Sequence, residues 1–220
     1  TTITRTGIDA WRKYLTDHYR FGQYTDVEQG YESGGTVPSR QVSAPSLTYA
    51  NTTFGQGIQM TTLQMAAALS GVVNGGTYYQ PTLIDQLIHA DGTTTRQQPK
   101  VLVSQVVKQS TTAALLPLME NVVNTYHAGG YGYLDFPSDY IVGGKTGTAQ
   151  IAKPEGGYYD DRYNGTYAGF VGGDTPQYVV VVFNIEPHVV GYAGSHAGQP
   201  VFADLVHMLI NSSFVTPKRR

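Results

Sequence analysis

Residues 140–150 read Tyr-Ile-Val-Gly-Gly-Lys-Thr-Gly-Thr-Ala-Gln, and the predicted fold is built around this segment. Its β-branched and aromatic start is typical of a strand. Two further apolar runs, 166–173 and 178–185, are also rich in β-branched and aromatic residues, and Gly-Gly-Asp-Thr-Pro at 172–176 separates them as a turn. Three such runs in succession predict an antiparallel meander.

Helical patterns precede and follow this meander. Apolar residues at helical spacing predict helices at four positions: 8–19, 63–73, 104–125 and 198–211. The second helix opens with a capping box, in which the Thr61 hydroxyl and the Gln64 amide each satisfy a free backbone N–H. Two glycines after Asn74 end it. Pro117 is expected to kink or break the third helix.

The remaining segments are predicted as loops and one hairpin. Residues 21–50, 127–138 and 154–165 are rich in glycine or polar residues and are expected to be loops. A short strand is predicted over 81–88, and the Asp-Gly pair at 91–92 predicts a hairpin turn. The order of the elements, with helices first, then the meander and then a closing helix, indicates an α+β fold in which helices pack on an antiparallel sheet.

Composition excludes several classes of function. The chain has 220 residues, 40% of them hydrophobic and 14% charged, so it can bury a core and is not a disordered tail. A net charge of −2 offers nothing that attracts nucleic acid. The absence of cysteine excludes disulfides and a thiol nucleophile. The six histidines lack metal-ligand spacing, so we predict neither a metal nor an organic cofactor.

The candidate site consists of Lys145, Thr146, Gly147 and Thr148. Alternate side chains of a strand lie on opposite faces, so we expect Lys145 and Gly147 on one face and the two threonines on the other. A cation and two hydroxyls this close together can bind a carboxylate through charge-assisted hydrogen bonds. Gly147 leaves room for a ligand against the backbone. Free amides of the strand can donate to a developing oxyanion.

The chain resembles the class B penicillin-binding transpeptidases. Lys-Thr-Gly is a motif of the penicillin-binding superfamily, and the segments around it match the family in order. They are Phe-Gly-Gln-Gly-Ile at 54–58, Thr-Thr-Leu-Gln-Met-Ala at 61–66, Asn-Gly-Gly at 74–76, Ala-Gly-Phe-Val-Gly at 168–172 and the closing-helix start at 197–202. With the loop that begins at Phe21, the resemblance covers nearly the whole chain.

The resemblance implies roles for the site residues. Lys145 would hold the carboxylate of a substrate or a β-lactam, and Thr146 and Thr148 would hydrogen-bond it. The backbone amide of Thr148 would form half of an oxyanion hole, and Gly147 would line the binding strip. In this family Ser-x-x-Lys supplies the nucleophile and Ser-x-Asn a proton shuttle. None of the serines in this sequence begins either motif.

We therefore expect residues 1–220 to be the C-terminal portion of one transpeptidase domain that starts downstream of both serine motifs. Residues 1–135 would be mainly helices and loops. Residues 136–220 would hold the signature strand, the meander and the closing helix. The nucleophilic serine would lie in the N-terminal remainder of the same protein, so we expect the chain alone to be inactive.

The leading hypothesis for the parent protein is a D,D-transpeptidase that cross-links peptidoglycan. Its expected partners are stem peptides ending in D-Ala-D-Ala, β-lactams and other cell-wall synthesis proteins. Its expected place is the extracytoplasmic face of the bacterial membrane, with the anchor outside this chain, because no apolar run here approaches the roughly 20 residues of a membrane span. Three alternatives stay open: a carboxypeptidase or β-lactamase-like hydrolase, a non-catalytic wall-peptide-binding protein, and a secreted protein with a chance Lys-Thr-Gly.

Overall fold

The computed structural model describes residues 3–28 and 30–219 and confirms the α+β fold. The α-helices in these ranges are α1 (Arg5–Lys13), α2 (Pro45–Thr52), α3 (Thr62–Val73), α4 (Gln109–Ala128) and α5 (Gln199–Asn211). The strands are β1 (Tyr78–Tyr79), β2 (Gln86–Ile88), β3 (Thr94–Arg96), β4 (Val101–Val103), β5 (Ile141–Ala152), β6 (Tyr158–Gly172) and β7 (Pro176–Asn184). The helical elements also include two π-helical turns, Tyr14–His18 and Gly194–Gly198, and a 3₁₀ turn, Gly132–Leu134.

The predicted start of α3 is confirmed in atomic detail. Thr61 Oγ1 accepts the Gln64 backbone N–H at 3.1 Å, and Gln64 Oε1 accepts the Thr61 N–H at 2.8 Å. The remaining donors of Gln64 bind the carbonyls of Gln23 and Gly34 at 2.7 and 2.8 Å. One buried side chain therefore both caps α3 and holds the preceding loop against it.

Helix α2 lies inside the stretch predicted as a loop, so that prediction is wrong for 45–50. No side chain caps this helix, and its eight residues form only two turns. Its support is tertiary, because Tyr49 is buried and its hydroxyl donates to the carbonyl of Pro38. Packing outweighs weak local propensity in such short helices.

Helix α4 continues through Pro117, so the predicted break does not occur. Proline removes one N–H, which leaves the carbonyl of Ala113 without its helical partner. Both Pro117 and Ala113 are exposed, so water can satisfy that carbonyl. Residues 104–108, predicted as helix, precede its first turn.

One hairpin, β2–β3, and one further two-stranded sheet, β1–β4, lie between α3 and α4. The Asp-Gly turn at 91–92 joins β2 to β3, as predicted, but the strand expected over 81–88 covers only its last three residues. Strands β1 and β4 pair antiparallel with each other, and the β2–β3 hairpin lies in the segment that connects them. They were not predicted, because two or three residues are too few to show an alternating pattern.

The three-stranded antiparallel sheet β5–β6–β7 confirms the predicted meander. Strand β6 starts earlier than expected, so residues 158–165 form a strand and not a loop. The exposed Asp160 and Asp161 lie in this part of β6.

A core packs on each face of this sheet. On one face, α5 contributes Phe202 and Val206 to a buried cluster with Tyr167 of β6. On the other face, Met119 of α4 and Val73 of α3 pack against Phe170. Because helices cover both faces of the sheet, the signature residues 145–148 reach solvent at the outer edge of β5.

Candidate active site

The signature residues lie on a sheet edge. In the described sheet, β5 pairs only with β6, where Lys145 lies opposite Ala168, Thr146 opposite Tyr167 and Thr148 opposite Gly165. Alternate backbone amides and carbonyls of an edge strand point away from the sheet, where a ligand can bind them. The strip from Lys145 to Thr148 is therefore placed to contact an extended ligand through backbone and side chains.

The exposure of these side chains alternates as strand geometry requires. Lys145 and Gly147 are exposed, whereas Thr146 and Thr148 are half-buried. The Lys145 ammonium nevertheless reaches around the strand, donating to the Thr146 carbonyl at 2.8 Å and to Thr146 Oγ1 at 3.1 Å. A cation and a hydroxyl thus meet at one point of the edge, the arrangement that suits a carboxylate.

Thr148 is held by the segment before α5. Its Oγ1 accepts the backbone N–H of Gly194 at 3.1 Å, which leaves the hydroxyl proton free to donate. Gly194 approaches so closely that a Cβ there would lie 3.0 Å from the Gly147 nitrogen. Sequence reasoning missed Gly194, whose only signal was its place among small residues before the closing helix.

The two glycines before Lys145 are required by packing. A Cβ at Gly144 would lie 2.7 Å from the Tyr167 hydroxyl, and one at Gly143 would lie 2.6 Å from the Phe170 ring. Gly147 is different, because its nearest neighbour would be Thr166 Cβ at 3.5 Å, an ordinary contact. The space at Gly147 is free on the side where a ligand would lie.

An ion pair supports the far end of the β5–β6 hairpin. Arg162 of β6 forms a bidentate pair with Glu186, which follows β7, and its guanidinium lies 4.3 Å from the centre of the Tyr159 ring. Hydrogen bonds from Arg162 lower the pKa of the Glu186 carboxyl. Asn164 Oδ1 accepts the Glu186 N–H at 3.0 Å.

Ser195 is brought beside β5 by its neighbour Gly194, but it does not have the setting of a nucleophile. Its side chain is buried and its Oγ donates to the Tyr192 carbonyl at 3.2 Å. The residue three positions later is Gly198, where the family motif requires lysine.

Residues 3–28 and 30–219 contain neither a metal-binding cluster nor a membrane-spanning helix. No cluster of three or more His, Asp or Glu side chains there could hold a metal ion. No helix in these ranges is both long and apolar enough to cross a membrane.

The family model that describes the penicillin binding protein transpeptidase domain matches residues 1–207. The chain therefore belongs to this family, as its motifs indicated. A solved structure of penicillin-binding protein 3 from Mycobacterium tuberculosis in complex with ampicillin matches with a TM-score of 0.78 and 29% identity. The match covers 96% of this chain and 47% of that one.

Curated relatives agree with this assignment. Stage V sporulation protein D of Bacillus subtilis is 32% identical over 217 residues, which are 98% of this chain and 32% of that protein. Penicillin-binding protein PbpB of Mycolicibacterium smegmatis is 35% identical over 199 residues, which are 87% of this chain and 30% of that protein. The chain thus spans about a third of the length of these relatives.

Proposed function

We propose that residues 1–220 form the C-terminal portion of the transpeptidase domain of a peptidoglycan D,D-transpeptidase. Residues 1–135 supply mainly helices and loops, and residues 136–220 supply the signature strand, the meander and the closing helix. The observation that carries the proposal is the edge strip of β5, where the exposed Lys145 ammonium meets the Thr146 hydroxyl beside the open Gly147.

In this proposal the strip binds the terminal carboxylate of a D-Ala-D-Ala stem peptide, or the carboxylate of a β-lactam. Lys145 supplies the charge and Thr146 and Thr148 the orienting hydroxyls. Binding along the strand places the scissile carbonyl near the Thr148 amide, which donates to the oxyanion of the tetrahedral intermediate.

The nucleophile comes from a Ser-x-x-Lys motif in the rest of the polypeptide. That serine attacks the carbonyl and forms an ester, the acyl-enzyme, while the peptide C–N bond breaks and D-alanine leaves with the serine's proton on its amine. An amine of a second stem peptide then takes the acyl group and frees the serine. We place this reaction at the extracytoplasmic face of the membrane, together with other cell-wall synthesis proteins, since one relative is named a penicillin-binding protein and another a probable peptidoglycan D,D-transpeptidase.

The test uses the full-length polypeptide that contains this chain and measures its rate of acylation by a fluorescent penicillin. Lys145→Ala is expected to slow acylation about 10- to 100-fold, the value of one charged hydrogen-bond donor. Lys153→Ala is the matched control, because Lys153 lies past the end of β5 with its ammonium over the Tyr159 ring. Equal rates for Lys145→Ala and the wild type would refute the assignment of the strip.

A further inference from the structure

The π-helical turn Gly194–Gly198 begins in direct contact with the signature strip. The Gly194 N–H donates to Thr148 Oγ1 at 3.1 Å. A Cβ at position 194 would lie 3.0 Å from both the nitrogen and the carbonyl carbon of Gly147, and it would overlap the Gly147 carbonyl oxygen. Gly194 therefore holds this part of β5 in two ways, through a hydrogen bond and through backbone packing. Turns of the π-helical kind are rare and frequently occur at functional sites.

Glycine is required at position 194 by this contact and not by its own backbone conformation. Gly194 lies in a helical turn, and its φ is not positive, so any L-residue could adopt its backbone. The missing side chain serves only to let the turn approach β5 closely. A methyl group there would have to push the backbone of Gly147 aside.

The peptide group that Gly194 contacts is the one that carries the proposed oxyanion donor. The Gly147 carbonyl and the Thr148 N–H belong to a single peptide group, which is planar, so a shift of the carbonyl also shifts the N–H. The contact with the carbonyl and the hydrogen bond to the Thr148 side chain together restrain both ends of this group. The direction of the Thr148 N–H thus depends on where Gly194 lies.

The turn is held more firmly than the strand that it contacts. Ala193 packs on β6, where a Cβ of Gly165 would lie 2.6 Å from the Ala193 carbonyl carbon. Phe202 of α5 is fully buried and lies 2.7 Å from where a Cβ of Gly169 would be. Among the described residues, β5 has no partner on its outer edge, and Gly147 has free space beside it. A methyl group added to the turn would therefore displace β5.

We propose that Gly194 is a positioning residue, which fixes the peptide group between Gly147 and Thr148 so that the Thr148 amide points at the oxyanion. The inference rests on the proposed function of the strip and adds the element that orients its oxyanion donor. Such a donor acts on the transition state, because the oxyanion develops only there. Misplacing it slows bond formation and leaves the binding of the unreacted ligand unchanged.

The first experiment separates these two steps in the full-length polypeptide. Stopped-flow acylation by a fluorescent penicillin gives the dissociation constant of the non-covalent complex and the first-order rate constant of acylation at saturation. Gly194→Ala is expected to lower the rate constant about 10- to 100-fold and to change the dissociation constant less than about twofold. The first-order constant does not depend on the folded fraction, so a merely structural role would leave it unchanged.

The second experiment uses an arylboronic acid without a carboxylate as an analogue of the tetrahedral intermediate. The serine oxygen bonds to boron, its proton passes to solvent, and the tetrahedral anion presents one hydroxyl to the Thr148 amide. Gly194→Ala is expected to weaken inhibition by about the factor by which it slows acylation. Thr148→Val removes the acceptor of the Gly194 N–H and should weaken inhibition about threefold to tenfold.

Gly198→Ala is the matched control, because Gly198 ends the same turn and is also buried with a helical backbone. The atoms nearest to a Cβ there belong to Thr166 and Tyr167 of β6, the closest being the Tyr167 nitrogen at 3.1 Å. This variant should lose stability but keep the acylation rate constant and the boronic acid affinity within about twofold of the wild type.

A wild-type value of either the acylation rate constant or the boronic acid affinity in Gly194→Ala would overturn the inference. An equal loss in Gly198→Ala would overturn it too. If Gly194→Ala does not fold, a wild-type boronic acid affinity in Thr148→Val overturns it.

The proposed function is tested separately by the wild type. If the full-length wild-type protein is not acylated, the function of the strip is wrong, and the inference is overturned with it. If only the inference is wrong, acylation of the wild type remains.

Discussion

The first four residues of β5, 141–144, and the next four, 145–148, pair with the same strand but have different surroundings. In the first half, Val142, Gly143 and Gly144 are buried, and both glycines lie against aromatic rings of β6. In the second half, Lys145 and Gly147 are exposed and Gly147 has free space beside it.

This difference shows how one strand can be both support and binding edge. The glycines let β5 lie so close to Tyr167 and Phe170 that its first half has little room to move. The second half then presents its side chains and outer amides from a fixed base. Binding sites on rigid elements keep their geometry better than sites on loops.

The largest expected effect comes from breaking the packed half. Gly144→Ala places a methyl group against the Tyr167 ring and hydroxyl, and overpacking of this kind should lower the free energy of unfolding by about 3 kcal/mol. Gly147→Ala is the matched control on the open half and should cost less than about 1 kcal/mol. Equilibrium urea unfolding measures both, and equal losses would remove the distinction between the halves.

The two threonines give a smaller contrast. Thr148→Val leaves the Gly194 N–H without its acceptor, which should cost about 1–2 kcal/mol of unfolding free energy. Thr146→Val should cost less than about 0.5 kcal/mol, because its hydroxyl bonds only the exposed Lys145 ammonium. A larger loss for Thr146→Val in urea unfolding would contradict the assigned contacts.

High pH should weaken the packed half through Tyr167. Burial raises the folded pKa of Tyr167 to about 12, above the ordinary value of 10.0. The neutral Tyr167 phenol therefore stabilises the fold in full below pH 10, and this stabilisation is lost as the pH rises toward 12. The loss in the free energy of unfolding is on the order of 1 kcal/mol at pH 11. Tyr167→Phe should lose less stability than the wild type between pH 9 and 11 in urea unfolding. Parallel pH profiles would show that this phenol ionises freely.

The smallest expected effect concerns the far end of the hairpin. The pKa of Glu186 is lowered by Arg162, so the pair stabilises the fold above the ordinary carboxyl pKa and loses its effect as the pH falls through the lowered value. Glu186→Gln should lower the thermal midpoint slightly at pH 7 and converge with the wild type near pH 3. A difference that persists at that pH would point to packing instead of charge.

Sequence reasoning succeeded where a local pattern was complete. The capping box at Thr61 and Gln64 contains both of its partners, and the alternation around Lys145 follows from strand geometry alone. It failed where residues that are distant in the sequence determine the local structure. Helix α2 depends on the burial of Tyr49. Residues 158–165 are a strand because they pair with 148–152, although their charge suggested a loop.

The residues around the strip show the same limit. Gly194 and Tyr167 are far from Lys145 in sequence and carry no motif, and only the folded chain brings them to β5. The need for glycine at 143 and 144 likewise became visible only with the positions of Phe170 and Tyr167. Motifs identified the strip, whereas packing determines what holds it.

The most direct test of the central claim is labelling with a fluorescent penicillin followed by denaturing electrophoresis. We expect a covalently labelled band from the full-length polypeptide and none from residues 1–220 alone, because the strip binds the carboxylate but the serine lies elsewhere. A labelled band from residues 1–220, or no band from the full-length polypeptide, would contradict it.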